Sequence, residues 1–287
     1  MSQLDQFESV FRAAVRAVYT PAPVAVQRVL VVTDLHAARA EAFGARARQV
    51  LTGLLGNAQP AWRVTTADEA TTVGDLLALV DSEAPDLVVT YRNLHTSAWR
   101  WPYTLGDHVE VLTQVTAAPV LLLPRPEHAA YEQGVGQIDT AMAITDHLGG
   151  DASGRLIDWA AAMVVDTGHL WLAHVEDTAV FERYLEVISK LPDLDTETAR
   201  AQIKARLLKE PADYIASVQA ALAQGMPRLD VQARVTEGRH LATYKGLLSE
   251  HRVDLLVMQT KDQDQLAMHG LAYPLAVELR ATPLLML

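Results

Sequence analysis

A chain of 287 residues that is 50% hydrophobic and 21% charged has room for two domains of ordinary size and the balance of a globular protein. Its formal charge of −11 excludes the basic face that a nucleic-acid binder or a partner of acidic membranes would need, and with no cysteine it excludes disulfides, thiolate catalysis and cysteine-ligated zinc. No apolar run approaches the roughly 18 to 20 residues that span a bilayer, and no basic region precedes an apolar core at the N-terminus, so no membrane insertion is expected and the expected compartment is cytoplasmic.

Leu4, Phe7, Val10, Phe11, Ala14, Val15 and Val18 recur at helical spacing until Pro21 and Pro23, which predicts an N-terminal amphipathic helix within residues 1–27. Asp5 and Glu8 balance Arg12 and Arg16, which favours packing on the body of the protein over membrane contact. The pattern then predicts strand 28–34, helix 37–55, strand 62–66, helix 72–83, strand 86–91, helix 105–116 and strand 119–123, which make a domain over 28–126. Pro124, Pro126, Gly134 and Gly136 mark a turn-rich linker at 127–138. A second domain over 139–287 reads as strand 140–145, helix 153–165, strand 169–175, a helical region over 178–224, strand 229–236, helix 239–250, strand 254–259, helix 270–280 and strand 283–287. Within 178–224, Pro192 breaks one helix, Asp195 or Thr196 caps the next, and Pro211 suits the first turn of a third. Strands alternating with helices imply an α/β fold with parallel strands and right-handed crossovers.

The two predicted domains share their strand grammar. Arg28-Val29-Leu30-Val31-Val32-Thr33-Asp34 matches Thr140-Ala141-Met142-Ala143-Ile144-Thr145-Asp146, both ending in Thr-Asp. Asp86-Leu87-Val88-Val89 is echoed by Asp254-Leu255-Leu256-Val257, and Ala118-Pro119-Val120-Leu121-Leu122-Leu123 by Thr282-Pro283-Leu284-Leu285-Met286-Leu287. The order is the same, so a tandem duplication is expected, with the first copy abbreviated by one strand.

These segments resemble tandem universal stress protein domains, which are adenine nucleotide alpha hydrolase-like. The resemblance implies two doubly wound parallel sheets of strand order 3-2-1-4-5, with a crevice between the first and fourth strands that holds ATP or AMP in many members. Asp34 and Asp146 match the family's acidic residue beside the adenosine. The nucleotide-binding members carry G-x2-G-x9-G-[ST] after the fourth strand, where bare backbone N–H groups meet phosphate. Here Tyr91, Leu94 and Thr104 stand in the glycine positions of the first domain, and Gln259, Asp262 and Ala272 in those of the second. Gly106 and Gly270 fall two positions late, and Asp262 and Asp264 would repel a triphosphate. The resemblance therefore implies a retained crevice without the phosphate cradle, and no cofactor is expected, AMP or ATP being the alternative. It also implies that the two domains pack as an intramolecular pseudo-dimer with strands 119–123 and 283–287 near its axis, with a homodimer as a further possibility.

Topology gathers the loops after strands 28–34 and 86–91, which makes Asp34, His36, Arg92, Asn93, His95, Gly106 and His108 candidates for a polar ligand pocket, the competing reading being a solvated loop. Asp146 and Gly270 are the corresponding candidates of the second domain. Imidazole and carboxylate suit zinc or iron, but no recognised ligand spacing is present, so no metal site is expected. Trp99, Arg100, Trp101 and Tyr103 concentrate aromatic and guanidinium groups as partner-binding surfaces do, while their alternation equally allows one inward face covering the core. The loop from Thr260 to Gln265 reads as solvated. Hydrolase elbows, zinc-protease helices and Walker loops are all missing, so a binding or regulatory role is expected rather than catalysis. Three functions stand open: stress-linked regulation through an unknown protein partner, an adenine-nucleotide sensor, and a cytosolic regulatory partner of a membrane transporter.

Overall fold

The computed structural model describes residues 18–97, 103–128, 131, 136–145, 151–190, 196–260 and 270–287. Strand β1 (Arg28–Val31) leads into α1 (Ala37–Val50) and the short α2 (Thr52–Leu55), followed by β2 (Ala61–Val64), α3 (Val73–Glu83), β3 (Leu87–Tyr91), α4 (Asp107–Val115) and β4 (Val120–Leu123). The chain continues through β5 (Thr140–Ile144), α5 (Asp151–Met163), β6 (His169–Asp177), α6 (Thr178–Ile188), α7 (Thr196–Gly225), β7 (Asp230–Gly238), α8 (His240–Glu250), β8 (Leu255–Met258), α9 (Ala272–Glu278) and β9 (Leu284–Met286). Among the described residues no helix is long and apolar enough to cross a membrane.

All nine strands join in one sheet of order β2-β1-β3-β4-β9-β8-β5-β6-β7. Every neighbouring pair is parallel except β4 and β9, which run antiparallel with Leu121 opposite Leu285. The expected closing strands thus meet at the centre, and the two expected domains share a continuous sheet. The direction of strand addition reverses between β1 and β3 and again between β5 and β8, so right-handed crossovers send helices to both faces. Continuous apolar runs follow from that double cover: β3, β4, β8 and β9 are buried along their whole lengths.

Local chemistry accounts for the elements. Thr72 and Asp75 form a reciprocal capping box at the start of α3. Asp86 accepts from the N–H groups of Gln27 and Arg28 at 2.8 and 2.9 Å, and Asp254 accepts from those of Asp139 and Thr140 at 3.1 and 2.9 Å. The repeated Asp-Leu step therefore satisfies the backbone donors that enter the neighbouring strand, a structural duty performed twice.

Three expectations need correction. Residues 18–27 form no helix; this segment runs to α5, where Asp158 accepts from the Tyr19 hydroxyl at 2.6 Å and from the Ala22 N–H at 3.0 Å, and the rest of the predicted N-terminal helix lies outside the described residues. The predicted helix 37–55 breaks at Leu51 into α1 and α2. Helix α7 runs through Pro211 instead of starting there. An interior proline costs about 3 kcal/mol, and burial of Tyr214, Ile215, Val218 and Leu222 just beyond it, worth about 1.5–3 kcal/mol per large side chain, outweighs that loss.

The two halves touch away from the sheet as well. A Cβ at Gly53 would stand 2.7 Å from the Met163 carbonyl oxygen, so only glycine lets α2 approach the end of α5 this closely. Tyr273 on α9 donates to Glu110 Oε1 on α4 at 3.0 Å, and Arg155 on α5 donates to the Ala117 carbonyl at 3.2 Å.

Candidate functional site

The first switch point, where β1 and β3 lie side by side, has Asp34 just past β1. The Tyr91 hydroxyl at the end of β3 donates to Asp34 Oδ1, and the Asp34 N–H donates back to that hydroxyl at 3.1 Å. Oδ2 accepts from the His95 N–H at 2.9 Å and faces Arg125 Nη2 at 3.6 Å. Arg125 follows β4, lies 5.2 Å above the Tyr91 ring and donates through Nη1 to the carbonyls of Arg92 at 3.1 Å and Asn93 at 2.7 Å. Burial, reinforced by the Asp34 carboxylate, pushes the Tyr91 phenol up, so it stays a neutral donor. Phe43 of α1 meets the same ring edge-on at 5.0 Å.

Loop 92–97 is bent back by left-handed backbone at Asn93 (φ 61°) and His95 (φ 54°). Its return at Gly106 (φ 87°) is equally tight, since a Cβ there would meet the Asn93 Cα at 2.8 Å. The Asn93 N–H donates to the Leu105 carbonyl at 2.6 Å. Glu110 holds the far side of the return through Thr104 Oγ1 at 2.8 Å and the Leu105 N–H at 3.2 Å. His95 and His108 face each other with ring centres 5.3 Å apart. Burial pulls the His95 imidazole below the ordinary histidine range, against the opposing pull of Asp34.

Of the predicted residues, Asp34, Asn93, His95, Gly106 and His108 come together here. His36 does not: it is exposed as the N-cap of α1. Arg92 turns the other way, donating to the carbonyls of Val277 and Leu279 at the end of α9, both at 3.1 Å, and so ties the loop to the second half. Its burial, with Arg280 nearby, lowers the guanidinium to about 10, and the group remains a cation at neutral pH. Gly270 is exposed ahead of α9. Asp146, Trp99, Arg100 and Trp101 lie outside the described residues, and Tyr103 is 76% exposed, which removes it from the inward face that alternation allowed.

Tyr91 and Arg125 are the residues that sequence reasoning missed. Tyr91 ends a predicted strand and reads only as a side chain at a glycine position, and Arg125 sits between the two prolines that precede the predicted linker. A signal was present for Arg125, because the expected strand order sets the residue after the fifth strand beside the end of the fourth.

This fold resembles solved structures of universal stress proteins. A candidate universal stress protein from Pseudomonas aeruginosa UCBPP-PA14 superposes with a TM-score of 0.52 at 13% identity, over 92% of this chain and 93% of that one. A protein of unknown function from Pseudomonas aeruginosa PAO1 (TM-score 0.48, 12% identity, 92% of each chain) and a universal stress protein from Archaeoglobus fulgidus DSM 4304 (0.46, 13%, 90% and 95%) are more distant. No sequence-family profile matches the chain, and no curated protein matches it in sequence.

Proposed function

We propose that this chain is a stress-linked regulatory binding protein of the tandem universal stress type, in which the first crevice is sealed from inside and takes no ATP. The observation that carries this reading is the state of Asp34. The carboxylate expected beside an adenosine is already engaged by Tyr91, the His95 N–H and Arg125. A nucleotide would have to break these contacts and would then find side chains where glycine N–H groups are needed. In this reading the chain arose by duplication, its halves act as an intramolecular pseudo-dimer, and it works in the cytoplasm through a protein partner. The exposed Tyr103, which flanks the aromatic segment, supports a partner contact at the 92–103 loop.

Calorimetry with ATP and magnesium at physiological ionic strength tests the reading, together with analysis of nucleotide released from purified protein by acid. The expected result is no submicromolar binding and no copurified nucleotide. Tight ATP binding that is lost on substitution of Asp34 would overturn it.

A further inference from the structure

Three buried atoms of this site have no partner: Oδ1 of Asn93, Nε2 of His95 and Nε2 of His108. Such atoms are uncommon in folded proteins and call for a water, an ion or a ligand. The His95 ring also lies against the Glu69 backbone carbonyl. A buried imidazole nitrogen without a hydrogen-bond partner offers a lone pair whenever the proton sits on the other ring nitrogen, and that is the form in which histidine binds metals. Two imidazoles sharing a tetrahedral cation through nitrogens about 2.0–2.1 Å away have ring centres about 5 Å apart. The ring centres here are 5.3 Å apart, a spacing that leaves room for one cation between the rings.

We propose that His95 and His108 form a two-imidazole site for a divalent cation of the zinc class. Both oxygens of Asp34 are engaged, so this carboxylate supplies a favourable field rather than a bond. Among the described residues no third His, Cys, Asp or Glu joins the pair. The remaining coordination positions therefore go to water or to a donor group of an incoming ligand, which makes the site an open one. This inference is independent of the regulatory reading, because it neither needs nor forbids a nucleotide.

Zinc titration of the intact protein by calorimetry, with cobalt(II) as a spectroscopic probe, tests the site. One equivalent should bind, with the visible absorption of a tetrahedral cobalt centre, and His95→Ala or His108→Ala should each weaken binding by about tenfold or more. His169→Ala, which removes an exposed imidazole paired with Asp230, should change nothing. Should the alanine variants fold poorly, zinc-induced shifts of the imidazole nitrogen resonances in the unmodified protein must fall on His95 and His108. Failure of the wild type to bind one equivalent, binding that survives both substitutions, or shifts confined to other histidines would each overturn the assignment.

Discussion

Replacing Arg125 with methionine removes the cation that joins Asp34 to the start of the 92–97 loop while leaving an apolar chain over the Tyr91 ring. The variant loses donors to two buried carbonyls, at 3.1 and 2.7 Å, and the ion pair with Asp34 at 3.6 Å, in which both side chains are nearly buried. A bond from a charged donor is worth about 1.5–3 kcal/mol, and breaking a buried pair so that one charge stays behind costs about 3–5 kcal/mol. These contacts share one group and do not add, so the expected loss is about 3–5 kcal/mol in total. The second carboxylate on Arg125, Glu127, is partly exposed and contributes less than about 1 kcal/mol. For a chain of this size the loss corresponds to a fall in Tm of about 5–8 °C. Urea unfolding followed by circular dichroism measures it, and adding Asp34→Asn should recover about 2 kcal/mol by removing the stranded charge. A loss under about 1 kcal/mol, or a double variant whose cost equals the sum of the single ones, would refute the view that Arg125 and Asp34 form one latch.

Asp86→Ala and Asp254→Ala should each destabilise by about 1–3 kcal/mol in denaturant titrations, while Asn variants lose far less because both backbone N–H groups bond one oxygen. Burial raises the Asp254 carboxyl above the ordinary aspartate range, so its protonated form favours folding at low pH and that contribution is gone once the folded state ionises. Asp254→Asn should therefore compare best with the wild type near neutral pH and lose ground as the pH falls through the aspartate range. Gly106→Ala should cost more than about 1 kcal/mol, read by thermal melting, because φ is 87° and the new Cβ would press on the Asn93 backbone. Residues 1–134 expressed alone should self-associate in light scattering, since β4 loses its partner β9 and exposes an apolar edge; a well-behaved monomer would contradict this.

The centre of the sheet was legible in the sequence because β3, β4, β8 and β9 are buried along their whole lengths and so read as unbroken apolar runs, two of them preceded by an aspartate with a backbone duty. Asp86 and Asp254 recur because two strand entries need the same acceptor. These pairings lie within one strand spacing of the motif itself, which is why spacing along the chain could reveal them. The direction of Arg92 could not be read in this way. It depends on which carbonyls end α9, nearly two hundred positions further along, and a loop beside a crevice gives no sign that its guanidinium faces the other half of the sheet.

The same contrast separates what is repeated from what is particular. At Asp86 and Asp254 the two halves share the bonds that assemble strands, and these say nothing about ligands. The chemistry of the first switch point sets one residue of the repeated segments, Asp34, among Tyr91, His95, His108 and Arg125, which lie outside them. Tyr91 puts its hydroxyl on Asp34 and so occupies one oxygen of that carboxylate from inside the fold. Arg125 then fixes that arrangement by binding the two carbonyls with which the loop begins. A Tyr91→Gly variant would accordingly leave Asp34 held by Arg125 and the His95 N–H, so freeing this carboxylate for any ligand requires changes at Arg125 as well.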